Sequence, residues 1–196
     1  MAVFEGSVLE EARTIIGRYP EGRSRSAVMP LLYLAQSEEG QVTRDGLQEV
    51  ARLLDLTTAE VEAVATFYSM YRLQPTGEHL VNVCTNLACM LRGGKDVYEA
   101  AHEATGIPHG GEVSDDGLFT VHEEECLGVC DFAPAVQIDF ANFDAVSPER
   151  MRELVAAIRA GETPEPSRGP TMMSFRHASR VLAGLEAPVA EPEGAV

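Results

Sequence analysis

The chain has 196 residues, 45% of them hydrophobic, enough for one ordinary domain and a smaller one. Its net charge of −16 argues against a nucleic-acid partner, because phosphate recognition relies on clustered Lys and Arg. No apolar run approaches the roughly 20 residues that cross a bilayer, and the start MAVFEGSVLEEARTIIG lacks both the basic region and the unbroken apolar core of a signal peptide. A cytoplasmic location without direct membrane insertion is therefore expected, and there thiols stay reduced.

Residues 1–75 read as a small helical bundle. Val8, Leu9, Ala12, Ile15, Ile16 and Tyr19 recur at helical spacing, and Pro20 and Gly22 stop that helix. A second helix starts near Ser24 or Ser26 and runs through AVMPLLYLAQ to Gly40, with Pro30 tolerated in its first turn. Thr43 caps a third, with Leu47, Val50, Ala51 and Leu54 on its apolar stripe. Thr57 and Glu60 form a capping box that opens a fourth, whose buried face is expected to continue from Val61, Val64 and Ala65 to Tyr68 and Tyr71. The aromatics of ATFYSMY read as core.

Composition shifts at the turn-like Gln74–Gly77, and residues 76–162 read as an α/β domain. His79–Cys84 is a strand, residues 87–105 a helix closed by Gly106 and Pro108, and Leu118–His122 a second strand. Ala135–Asp139 and Asn142–Val146 are further strands, and Ser147 caps a final helix from Pro148 to Ala160. The fold class is α+β, with the helical bundle first and the α/β layers second. Residues 163–196 are rich in Pro, Gly, Glu and Ala and read as an extended or disordered tail. Within it, 166–185 has no acidic residue and carries Arg168, Arg176 and Arg180, as a segment docking on a partner would.

The four cysteines carry the chemistry. Cys84 and Cys89 are spaced C-x4-C, Cys126 and Cys130 C-x3-C, with 36 residues between the pairs. Neither is the C-x-x-C of a thiol–disulfide enzyme, and structural zinc favours C-x2–4-C pairs joined by His. A [2Fe–2S] cluster is larger, each iron held by one pair of thiolates, so wider loops suit it. The spacing favours that cluster and leaves zinc and free thiols open. Such a centre is an anion that gains a further negative charge on reduction. Backbone donors near Cys89, at a helix start, and close backbone approach at Gly128 suit it. His122 reads as a surface histidine at a strand end, and Glu123, Glu124 and Glu125 as a solvated run.

The stretches VCTNLACMLRGG, DGLFTVHEEECLGVCDFAPAVQID and SPERMRELVAAI resemble the E-type subunit of bacterial NADH:quinone oxidoreductase (respiratory complex I), a thioredoxin-like [2Fe–2S] ferredoxin family; AVMPLLYLAQ and VEAVATFYSMY are similar to its helical N-terminal part. That resemblance implies a thioredoxin-like fold for 76–160 and one [2Fe–2S] cluster on Cys84, Cys89, Cys126 and Cys130. It implies a flavoprotein partner binding FMN and NADH, other peripheral-arm components of complex I, and a place at the cytoplasmic face of the membrane. Relatives in NAD-linked hydrogenases and formate dehydrogenases make the larger assembly a separate question, and a zinc-stabilised interaction module is the rival from another class. The chain has no G-x-G-x-x-G fingerprint of its own, and no residue is expected to act as acid, base or nucleophile.

Overall fold

Side-chain caps set four of the helix starts among the described residues, two of them in the first part of the chain. Thr43 Oγ1 accepts the Gly46 amide at 3.0 Å, and Thr57 and Glu60 form the reciprocal capping box. The structure, a computed structural model, describes residues 3–111, 113–169 and 171–186. These divide into two units, one of residues up to 75 together with 176–186, the other of residues 76–175.

The first unit holds α1 (Gly6–Gly17), a 3₁₀ turn (Ser24–Ala27), α2 (Val28–Glu39), α3 (Arg44–Leu54) and α4 (Thr58–Phe67). Their apolar stripes meet in one core that includes Ile15, Leu31, Leu32, Val50, Leu54 and Val61. α4 stops earlier than its apolar pattern suggests. Phe67, at 79%, and Tyr68 are exposed, against the expectation that both lie in the core; Tyr71 is buried, but on irregular chain. The cause is tertiary. The buried Gln36 side chain donates to Met70 O (3.2 Å) and accepts from Arg72 N (2.8 Å), and Val42 N donates to Arg72 O (2.7 Å). These bonds hold residues 70–72 away from a helical path.

The expected tail also behaves otherwise over its described part. Residues Phe175–Leu182 form α8, and the portion from 176 onward packs within the helical unit. Ser179, fully buried, accepts from Gln36 Nε2 at 3.1 Å. Arg18 donates to Ala183 O and Gly184 O, both at 2.9 Å, satisfying carbonyls at the end of α8. Arg176 does the same for α2 through Glu38 O (2.8 Å). Arg180 pairs with Glu11 (2.6 Å), Glu38 (3.3 Å) and Glu186. The absence of acids in 166–185 thus has a reason: its arginines meet carboxylates and carbonyls of this chain. Residues 170 and 187–196 of the expected tail lie outside the described residues.

The second unit carries a sheet of β1 (His79–Cys84), β2 (Phe119–Glu124), β3 (Val136–Ile138) and β4 (Ala141–Phe143) in the order β2-β1-β3-β4. β1 runs parallel to β2, His79 beside Phe119 and Cys84 beside Glu124, and antiparallel to β3. A parallel pair needs a crossover, here α5 (Leu87–Leu91) and α6 (Gly94–Thr105). The sequence reads 87–105 as one helix; the structure breaks it at Gly93, whose φ of 91° no helix accommodates. α7 (Pro148–Arg159) starts on the Ser147 cap and packs against α6. Val81, Val83, Phe119, Val121, Met151 and Leu154 share the core of this unit. Residues 163–169 are held at the β4 edge: Ser167 N donates to Asn142 O (2.8 Å), and Arg168 pairs with Asp144 (2.5 Å).

Candidate metal centre

All four cysteines line one cavity of about 230 Å³, together with Asn86, Leu87 and Ala88. The fold brings them there from two directions. Cys84 ends the interior strand β1, where its amide donates to Ala135 O at 3.1 Å. Cys89 is the third residue of α5, whose start is capped by Asn86 Oδ1 accepting from Leu87 N (2.6 Å). Cys126 and Cys130 lie in the loop after β2, the latter opening a 3₁₀ turn (Cys130–Phe132).

The two pairs differ. Cys84 and Cys89 are buried, Cys126 and Cys130 exposed. The sulfurs of Cys126 and Cys130 are 4.0 Å apart, near the spread two thiolates take across one metal at a metal–sulfur distance of ~2.3 Å. Gly128, at φ 76°, turns its amide onto Cys126 Sγ at 3.4 Å, the close approach expected of that glycine. Among the described residues no three His, Cys, Asp or Glu side chains are arranged to hold a metal ion. The donor set offers two cysteine pairs, one buried and one exposed, around a shared cavity, and a dinuclear group held by two thiolates on each metal would use such a set. Burial pushes the Cys89 thiol up to about 11, opposed by a backbone hydrogen bond from Ala135 and reinforced by Cys84. The Cys130 thiol is raised too, first by its hydrogen bond with Cys126. Metal capture at these sulfurs thus has to displace protons.

The residues around the cysteines are only partly legible in the sequence. Asn86 Nδ2 donates to Glu125 Oε2 (3.3 Å) and Thr85 Oγ1 to Glu123 Oε1 (2.5 Å), tying the loop before α5 to the strand end before Cys126. Arg92 Nε donates to Ala133 O (2.9 Å), bracing the far wall. Asn before an apolar run is a capping signature and could have been read from sequence; Arg92 offers no such signal. Gly94 is the tightest point. A Cβ there would stand 2.7 Å from Cys84 O and 2.9 Å from Cys89 C and O. His122 lies within β2, 3.3 Å from Glu124, and does not line the cavity. Leu87, which lines the cavity, is exposed, and so are Met90, Leu91 and Phe132.

The family described as thioredoxin-like [2Fe-2S] ferredoxin matches residues 12–159. The chain belongs to that family. Two relatives place this ferredoxin more narrowly. The E-type NADH-quinone oxidoreductase subunit of Mycobacterium tuberculosis is 46% identical over 175 residues, spanning 89% of this chain and 68% of that protein. NADH-quinone oxidoreductase subunit 2 of Thermus thermophilus is 44% identical over 144 residues, 73% of this chain and 78% of that one. Among solved structures, an NAD+-reducing [NiFe]-hydrogenase in the air-oxidized state superimposes with a TM-score of 0.59 at 22% identity, over 68% of this chain. That likeness concerns the fold; this ferredoxin spans 23% of the hydrogenase chain it matches. The α+β class, a helical bundle followed by a thioredoxin-like layer, is thus the architecture of the chain. No helix among the described residues is long and apolar enough to cross a membrane.

Proposed function

We propose that the protein is an electron-transfer subunit of an NADH:quinone oxidoreductase, with Cys84, Cys89, Cys126 and Cys130 holding one [2Fe–2S] cluster. The observation that carries this reading is the gathering of all four thiols, as a buried and an exposed pair, around one cavity in a chain of the ferredoxin family. When bound, the cluster supplies reversible one-electron chemistry. The protein's own part is to hold it and keep water from its inner side, through Cys84, Cys89 and the small Ala88 wall. Gly128 N–H meets negative charge at the Cys126 sulfur, while Glu123 and Glu125 close by oppose added charge.

Electrons come from a partner in this reading: a flavoprotein that binds FMN and oxidises NADH, within an assembly peripheral to the cytoplasmic face of the membrane. Leu87 at the cavity, with Met90, Leu91 and Phe132 also exposed, offers it apolar surface to land on. The same site would serve the equivalent component of an NAD-linked hydrogenase or formate dehydrogenase.

Iron and acid-labile sulfide analysis of the purified chain, with EPR of the dithionite-reduced protein, tests the centre. Iron and sulfide in equal amounts and a reduced-state signal are expected. Zinc without sulfide ends the redox reading in favour of an interaction module. Cys84→Ser should lose or destabilise the centre, and an unchanged spectrum would remove Cys84 from the ligand set. Co-purification from the native membrane identifies the assembly.

A further inference from the structure

The four thiols are unequally placed for acquiring a cluster, and the inequality is built into the fold. Cys84 sits at 2% exposure on an interior strand, with β2 on one side and β3 on the other. Cys89, at 1%, sits on the crossover, and Gly94 presses against the backbone of both. Cys126 and Cys130 are exposed in the loop after β2, their sulfurs already 4.0 Å apart, with the Gly128 amide turned onto one of them. A sulfur can replace another on iron only by touching that iron while its previous holder still covers the other side. Thiols buried on the inner side of the cavity are poorly placed to do so first; an exposed pair spaced for one metal can.

We propose that Cys126 and Cys130 form the receiving pair of this chain, taking the [2Fe–2S] cluster by thiolate exchange from a carrier that holds it on thiolates, and that Cys84 and Cys89 complete the site second. The inference rests on the reading of the four cysteines as ligands. The exchange balances without redox change. Each incoming thiol passes its proton to the departing carrier thiolate, one iron–sulfur bond forms for each that breaks, and no electron moves.

The test uses the full chain, freed of metal and reduced, and glutathione-complexed [2Fe–2S] cluster as donor. Transfer is followed by visible circular dichroism from the first seconds. A brief pulse of N-ethylmaleimide, read by mass spectrometry, should label Cys126 and Cys130 at least about tenfold faster than Cys84 and Cys89. Initial uptake by Cys84→Ala/Cys89→Ala should stay within about twofold of the parent, although its product is lost on gel filtration. In Cys126→Ala/Cys130→Ala the initial rate should fall about tenfold or more. Equal labelling of all four thiols, or an equal loss of initial rate in the two double variants, overturns the proposal. Far-ultraviolet circular dichroism checks that both variants are folded; if the buried-pair variant is not, the labelling pattern of the parent decides. Failure of the parent itself to take up cluster refutes the ferredoxin reading, a different result from uptake without asymmetry.

Discussion

Gly94→Ala sets two opposed effects against each other at the proposed metal centre. Alanine favours the helix by up to about 1 kcal/mol over glycine, chiefly because it restricts the unfolded chain. Gly94 is the first residue of α6 and has no left-handed φ, so nothing in its own backbone resists alanine. Against this, the new Cβ falls 2.7 Å from Cys84 O and 2.9 Å from Cys89 C and O, where ordinary contact begins at 3.4 Å. All three are backbone atoms of two cysteines on different elements, so no side chain can swing aside. Relief means moving α6 from β1 and α5 by about 0.7 Å, and overpacking of that kind costs typically ~1–3 kcal/mol. The clash should win by a small margin, a net loss of about 1 kcal/mol in urea unfolding of the metal-free chain. The larger effect falls on the centre, because the displacement separates the backbones that carry Cys84 and Cys89. Cluster half-life in the presence of a chelator, followed by visible absorbance, should shorten severalfold. A variant as stable as the parent that keeps its cluster as long would show that the contact does not position the cysteines.

Gln36→Leu removes three bonds of a fully buried amide, to Met70 O, Arg72 N and Ser179 Oγ, and should cost about 2–4 kcal/mol in urea unfolding; a loss under ~1 kcal/mol would contradict the account of the α4 end. Asp139 accepts from His79 Nδ1 (2.6 Å) and from Leu80 N (2.8 Å); burial raises its carboxyl from 3.8 to about 6, opposed by His79. His79 itself is lowered by burial but raised more by Asp139, so that it ends above 6.5. Both groups hold protons more tightly when folded, so their contribution is full below pH about 4 and falls as pH rises through 6 and beyond the His79 value. Unfolding midpoints at pH 5 and pH 8 should therefore differ more for the parent than for Asp139→Asn, and equal differences would refute the coupling. Leu91→Glu, at a side chain 76% exposed, should leave the spectrum of the proposed centre unchanged while weakening capture of the proposed flavoprotein partner about tenfold, as expected if it lies in a docking face. Unchanged capture would move that face elsewhere.

What was legible in the sequence is what is decided locally. Thr57 with Glu60, Ser147 before Pro148, and alternation ending at Cys84 depend on neighbours a few residues apart, and those starts and ends agree with the structure to within a residue or two. The two cysteine pairs were visible for the same reason, since each is a short-range spacing. Features decided by distant partners were not. α4 has helical periodicity beyond Phe67, but Gln36 and Val42, roughly thirty residues earlier, take the polar groups of 70–72. α8 is short and preceded by a Pro- and Gly-rich stretch; its order is explained by partners such as Gln36, Arg18, Glu11 and Glu38, none near it in sequence. The exposure of Phe67 belongs to the same class, because an aromatic at the end of an apolar run reads as core until the element beneath it turns away.

The position of α8 also bears on when the protein can mature during translation. Gln36 and Ser179 are 143 residues apart, and Arg18 and Gly184 are 166 apart. The helical bundle thus lacks part of its core until much of the chain after it has followed, whereas β1 through α7 form a contiguous stretch with its own interior. The later-made sheet layer can settle without waiting, and the earlier-made bundle is completed last, the reverse of the usual N-to-C order of domain folding. A nascent chain stalled before residue 176 should carry a formed sheet layer and an unfinished bundle, the species most in need of a chaperone.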